Sequence, residues 1–178
     1  ALTWPEAGEL VIDGSGIATL MNDAGLTNGA FYAHFASKDD LVATAVAEQL
    51  REQAASFSVF PPDHAGLEQF VRSYLSIEHR DNPQSGCPSA ALLDEIGRCT
   101  DGTKQAYTDG VLAVIDTVAG RLETHDPESA RVQVLSAFAM MVGTLQLSRA
   151  LADRQLADAI LAQGTRNALA LLRTGQES

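Results

Sequence analysis

The chain has 178 residues, 46% of them apolar, which is enough to bury a sizeable core in one large domain or in a small one joined to a larger one. A net charge of −11 argues against broad nucleic-acid binding, which draws on a basic surface. No run of about 18 apolar residues occurs, and the opening ALTWPEAGEL has neither a basic flank nor a long apolar stretch, so no membrane span and no signal peptide are expected, and the expected location is cytoplasmic.

Apolar residues recur with a period of about 3.6 along nearly the whole chain, no segment alternates as a strand would, and Ala, Leu, Glu, Gln and Arg are plentiful. In chain order the predicted helices are a short one around 5–12, then 16–24, 27–34, 38–58, 64–80, 88–99, 102–124, 127–151 and 154–173. Gly14-Ser15-Gly16 opens the second and Asp23-Ala24-Gly25 closes it. Ser37-Lys38-Asp39-Asp40 resembles a capping box. Pro61-Pro62, the loop Asp81 to Gly86, Asp101-Gly102 and Asp126-Pro127 are further breaks, and Asp153 starts the last helix. The fold class is all-α, with a soft boundary near residue 50 where short helices give way to long ones. Cys87 and Cys99 form no disulfide framework. On one helix they stand about 18 Å apart, beyond disulfide reach. Two small thiols at least partly buried are the plain reading, and redox sensing is the sharper one.

Residues 16–41, GIATLMNDAGLTNGAFYAHFASKDDL, read as a short amphipathic helix, a glycine turn, a second short helix and a capped third. Ile17, Leu20, Met21 and Ala24 share one face of the first. Gly25 is suited to the left-handed conformation that ends a helix, Leu26 plugs the angle between the helices, and Thr27 caps the second. Phe31 and Phe35, four apart, are expected to face the core, which turns Thr27, Asn28, Ala30, Tyr32 and His34 outward. A helix pair of this size with glycine in the turn is the helix-turn-helix geometry.

This stretch resembles the signature of the TetR/AcrR family of transcriptional regulators, in Ile17, Leu20-Met21, Ala24 to Thr27, Gly29 to Tyr32, His34-Phe35, Ser37-Lys38 and Leu41. The remaining chain resembles the family in helix count and length, and Gly86 to Leu93 weakly resembles one subgroup. The resemblance implies an N-terminal three-helix helix-turn-helix DNA-binding domain over residues 1–45 and a six-helix ligand-binding and dimerisation domain over 46–178. It implies that Thr27, Asn28, Gly29 and Ala30 start the recognition helix in the major groove. Thr27 would contact a phosphate and Asn28 would read a base, since an amide can bond adenine with two hydrogen bonds. Tyr32 and His34 would reach phosphates or sugar edges, and Lys38 would hold a phosphate. Each also has a plain reading: Tyr32 as a half-buried aromatic, His34 as an idle surface residue, Asn28 as a cap-region residue. Phosphate contacts position a protein on DNA, whereas base contacts specify sequence.

Two features depart from the family. The first helix, near Trp4 to Val11, is shorter than the resemblance implies and reads as incomplete. Residues 1–51 also hold two basic groups, Lys38 and Arg51, against seven acidic ones, and Ala18 stands where many relatives carry arginine. Few phosphate contacts imply a shallow salt dependence and modest non-specific affinity for DNA.

The resemblance implies a homodimer through helices 127–151 and 154–173, whose many apolar residues are interleaved with Ala137, Ala139, Gly143, Ala157, Ala159, Gly164, Ala168 and Ala170. Dimerisation would place two reading helices on a palindromic operator in double-stranded DNA, about 34 Å apart. The pocket for a small-molecule effector is expected between helices 64–80, 88–99, 102–124 and 127–151. Phe70, Tyr74, Leu92, Ile96, Tyr107, Val111, Phe138 and Met141 are its candidate lining, with Gln146 or His79 as polar anchor. For any one of these, plain core is the competing reading. His34, His64, His79 and His125 are scattered, the cysteines lack metal-ligand spacing, and neither a nucleotide loop nor a nucleophile elbow is visible. No catalytic residue, metal or cofactor is therefore expected, and the protein reads as a regulator rather than an enzyme. A repressor released by an apolar ligand is the leading reading, and a regulator acting through protein contacts is the alternative that the acidity allows.

Overall fold

The computed structural model describes residues 21, 22, 25, 27–83, 86–122 and 126–173. The predicted helix at 5–12, most of the one at 16–24, and Leu26 lie outside the described residues. Among those described there is no strand, and the chain is all-α as expected.

The helices are α1 (Asn28–Tyr32), α2 (Lys38–Ser56), α3 (His64–Tyr74), α4 (Ile77–Asp81), α5 (Pro88–Arg98), α6 (Asp101–Ala119), α7 (Pro127–Ala150) and α8 (Arg154–Arg173), with a 3-10 turn at Phe57–Val59 after α2. The capping box expected at Ser37 to Asp40 forms. The Ser37 hydroxyl accepts the Asp40 N–H at 3.1 Å, and Asp40 reaches back to the Ala36 N–H at 2.9 Å. Asp63 caps α3, Asp126 caps α7, and Asp153 accepts the Gln155 and Leu156 N–H groups at the start of α8.

Three predicted helices need correction, and the one expected at 102–124 runs only over Asp101–Ala119, where the chain turns at Gly120. The segment expected at 64–80 is two helices, not one. Leu75 leaves helical geometry, and Ser76 caps the next turn by accepting the His79 N–H at 3.0 Å. Nδ1 of His79 then lies 2.7 Å from the Tyr74 carbonyl, occupying an acceptor that a continuous helix would have used. The segment expected at 27–34 is a helix only over Asn28–Tyr32. Past it, the N–H groups of His34 and Phe35 both donate to the Phe31 carbonyl, tightening the end into a turn.

The core lies among the long helices. α2 packs along α6, α7 along α8, and α6 and α5 against α7. On α6, Val111, Val114, Ile115 and Val118 are buried at the spacing of one helix face, and on α2 Leu41, Val42, Val46 and Leu50 are. At the α2–α6 seam a Cβ on Gly110 would come 2.7 Å from Leu50 Cδ1, so glycine is what lets these two helices approach. Arg121, just past α6, donates to the carbonyls of Phe57 (2.6 Å) and Pro61 (3.0 Å) and ties the two helix ends together. The boundary expected at residue 45 falls inside α2, which runs unbroken from Lys38 to Ser56.

By length and composition α7 is apolar enough to cross a membrane. In the fold it has a buried face of Val134, Ala137, Phe138, Met141, Val142 and Leu145, among others, and packs on α8 and α6.

Candidate functional site

Two regions gather the predicted site residues. The first surrounds α1. Met21 and Asn22 are helical, and Gly25 then turns the chain at φ 66°, the left-handed conformation expected of it. The Thr27 hydroxyl oxygen caps α1 by accepting the Ala30 N–H at 3.2 Å, which leaves its hydrogen to donate elsewhere. Asn28 opens the helix. Gly29 is exposed, and a Cβ there would meet nothing nearer than the Thr27 hydroxyl oxygen at 3.8 Å. Ala30 is half-buried. Phe31 is buried, and half-buried Phe35 packs on it with ring centroids 5.6 Å apart, so this pair anchors the motif as expected. Tyr32 is 63% exposed and meets Phe31 edge to face at 5.1 Å. His34 is exposed in the turn beyond the helix, and Lys38 is half-buried at the first position of α2. The outward set is thus Thr27, Gly29, Tyr32 and His34, carried by the packed pair of buried Phe31 and half-buried Phe35.

The second region is a cleft of about 640 Å³ between α2 and the α3–α4–α5 segment. Gln49, Glu52, Gln53 and Ser56 of α2 form one wall. Phe60, Phe70, Ser73, Tyr74, Ser76, Glu78, His79, Asn82, Gly86, Cys87 and Pro88 form the other. Phe70 and Tyr74 are the predicted pocket residues that line it, and His79 joins them. The other predicted lining residues lie elsewhere. Ile96 and Val111 are core, and Leu92 is half-buried against it. Phe138 and Met141 border, with Phe70, a void of only about 10 Å³ that is plain packed core. The Tyr107 hydroxyl meets the Ser89 hydroxyl at 2.9 Å, and Gln146 lines a shallow surface groove with Leu93 and Arg98.

The cleft's polar groups are fixed unequally. Nδ1 of His79 donates to the Tyr74 carbonyl, and its Nε2 accepts the Cys87 N–H at 3.3 Å, so its partners select the neutral ring. Burial holds its pKa below the ordinary value, against the Tyr74 carbonyl and with help from the Arg149 cation. Arg149 stands behind this wall and donates to three carbonyls, those of His79 (2.8 Å), Arg80 (3.2 Å) and Ala90 (2.9 Å). Arg80 is buried between Asp81 and Asp158 and so pins α4 to α8. The wall made by α4 and α5 is therefore anchored to α7 and α8, and α2 is the opposite face. By contrast, the Tyr74 hydroxyl and the Gln53 side-chain oxygen are buried with no hydrogen-bond partner. Burial pushes the Tyr74 pKa well up, so it stays a neutral phenol.

Sequence reasoning missed the α2 wall. Gln49, Gln53 and Ser56 recur at helical spacing beside the buried Val46, Leu50 and Phe57, a polar stripe that reads as a solvated face until its tertiary partner is known. Cys87 and Cys99 are free and flank α5 at its two ends, with Cys87 in the cleft wall. Burial raises the Cys99 pKa. Among the described residues no group of three or more His, Cys, Asp or Glu side chains is placed to hold a metal ion.

No family model and no curated protein matches the chain. Among solved structures, that of NemR from E. coli in its reduced form is similar, with a TM-score of 0.72 and 17% identity over 96% of this chain and 93% of that one. At that identity the likeness is one of fold.

Proposed function

We propose that the protein is a TetR-like transcriptional regulator, a homodimeric repressor that leaves a palindromic operator when a small, largely apolar ligand enters the α2–α4 cleft. The observation that carries this reading is the arrangement around α1. A left-handed glycine, a threonine-capped short helix anchored by Phe31 and Phe35, and the exposed Thr27, Tyr32 and His34 make a surface suited to a DNA groove and its phosphates. Asn28 is the base-reading candidate, Gly29 and Ala30 allow close approach, and Lys38 holds a phosphate. The protein binds its ligand and does not transform it.

The lever is α2. It begins at Lys38, beside the reading helix, and about 22 Å further along its axis presents Gln53 to the cleft. A ligand that prefers the conformer with mis-spaced reading helices lowers DNA affinity by its differential binding, and DNA weakens the ligand equally. Dimerisation is supported by the outer surface of α7 and α8. Val132, Leu135, Leu147, Leu156 and Leu171 are exposed, and the Cβ position of Gly143 opens on empty space.

Acidity supports the second reading, a regulator acting through protein contacts after losing DNA binding. Titration of a random-sequence duplex at low salt separates the two. The DNA reading predicts saturable binding that weakens with salt, and Lys38→Ala should reduce the slope of log affinity against log salt by about 1. No binding to the duplex by folded protein at low salt favours the protein-contact reading.

A further inference from the structure

We infer that the α2–α4 cleft selects an aromatic ammonium, a flat apolar body carrying a positive charge and N–H donors, and rejects carboxylates and phosphates of the same shape. The inference rests on the reading of this cleft as an effector site. Three observations define the chemistry. Phe60, Phe70 and Tyr74 form an aromatic wall, with Phe70 centred 6.2 Å from Phe60 and 5.8 Å from Tyr74. Flat rings pack well on such a surface, and a cation over ring faces gains further.

The second observation is the pair of unsatisfied polar atoms. Tyr74 is only 5% exposed, and beyond a weak contact with the neighbouring Cys87 thiol its hydroxyl is left unsatisfied. The Gln53 side-chain oxygen on the facing wall is likewise buried and unpartnered. Buried polar atoms are ordinarily satisfied, so two orphans on opposite walls of one cleft mark where a ligand's hydrogen-bonding group sits. An amide oxygen only accepts, and a phenol oxygen can accept as well as donate. The matching ligand group is a donor.

The third observation is charge. Among the described residues the ionised side chains lining the cleft are Glu52 and Glu78, with no lysine or arginine. Arg149 lies behind Tyr74, but all three of its guanidinium nitrogens are turned to backbone carbonyls. An anion would meet two carboxylates and an amide oxygen at the lining itself, with the Arg149 cation held behind the wall by its carbonyls, whereas an ammonium finds complementary charge at the rim.

Fluorescence titration without DNA tests this with three probes on one ring system: proflavine (cationic, with N–H donors), acridine (neutral near pH 8) and an acridine carboxylate (anionic). The expected result is that proflavine binds at least about tenfold tighter than the carboxylate, as one charge-assisted hydrogen bond allows. Tyr74→Phe and Gln53→Leu should each weaken proflavine several-fold, by about the loss of one hydrogen bond. Replacing Glu52 and Glu78 together by Gln should weaken proflavine and leave acridine unchanged. Tyr74→Phe keeps the ring and its packing, and a thermal melt by circular dichroism confirms that each variant folds. Equal or tighter binding of the carboxylate overturns the inference, as does proflavine binding indifferent to both Tyr74→Phe and Gln53→Leu. Because DNA is absent, loss of DNA reading leaves this result intact, so the two readings fail separately.

Discussion

His79 shows how one side chain sets the geometry of a wall. Its ring is shared between the Tyr74 carbonyl and the Cys87 N–H, and only the neutral form can accept from the latter. Protonation would aim an N–H at an N–H. Because its folded pKa lies below the ordinary value of 6.5, the unfolded chain takes up this proton first as pH falls. The stabilisation is therefore complete above that value and is lost as pH drops towards the lowered one. His79→Gln removes the titration. Urea unfolding of both proteins between about pH 7.5 and about pH 5.5 should show the wild type losing more stability than the variant over that interval. Parallel losses would mean that the ring is not held neutral by its partners. The same residue illustrates what sequence reading can and cannot reach. His79 is visible as a polar residue in an apolar helix pattern, but its role as a helix breaker comes from Ser76, from the Tyr74 carbonyl and from a loop eight residues away.

At the scale of elements, the long helices and most of their ends were legible because their signals are local. Ser37 and Asp153 cap the helices that follow them, the break at Asp126-Pro127 opens α7, and Gly25 takes the left-handed turn that its place in the chain foretells. The break between α3 and α4 was not legible, because a capping serine competes with a continuing apolar stripe and the outcome depends on tertiary partners. The pocket was half legible. Phe70 and Tyr74 lie on its wall, but Phe138 and Met141 fill the core beside it, since periodicity identifies an inward face and not which inward faces leave space. Gly110 is a third case. It sits inside a helix where glycine costs about 1 kcal/mol relative to alanine, yet a side chain there would strike Leu50. Gly110→Val should destabilise the protein by about 1–3 kcal/mol through overpacking at the α2–α6 seam, measured by urea unfolding. Combining it with Leu50→Ala should recover part of the loss, and a double variant showing simple additivity would contradict direct contact at that seam.

For the whole molecule, the surface of α7 and α8 divides into two kinds of apolar residue. Val134, Phe138, Met141, Val142, Leu145, Leu161, Leu169 and Leu172 belong to the protein's own core, while Leu135, Leu147, Leu156 and Leu171 face outward. The exposed Val132, Leu135, Ala139, Gly143 and Leu147 recur every three or four residues along α7, as an interface stripe would. Leu135→Glu should convert the proposed dimer to a monomer in sedimentation with little change in helix content, and a variant that remains dimeric would place the contact elsewhere. In the proposed dimer, two such subunits read DNA together. Selection of random double-stranded DNA against the protein, followed by sequencing of the retained pool, tests it most directly. A dimeric DNA reader should enrich a palindrome whose half-sites lie about one helical turn apart, with enrichment lost in a Tyr32→Ala, His34→Ala, Lys38→Ala variant. A folded, dimeric protein that enriches no sequence would contradict it.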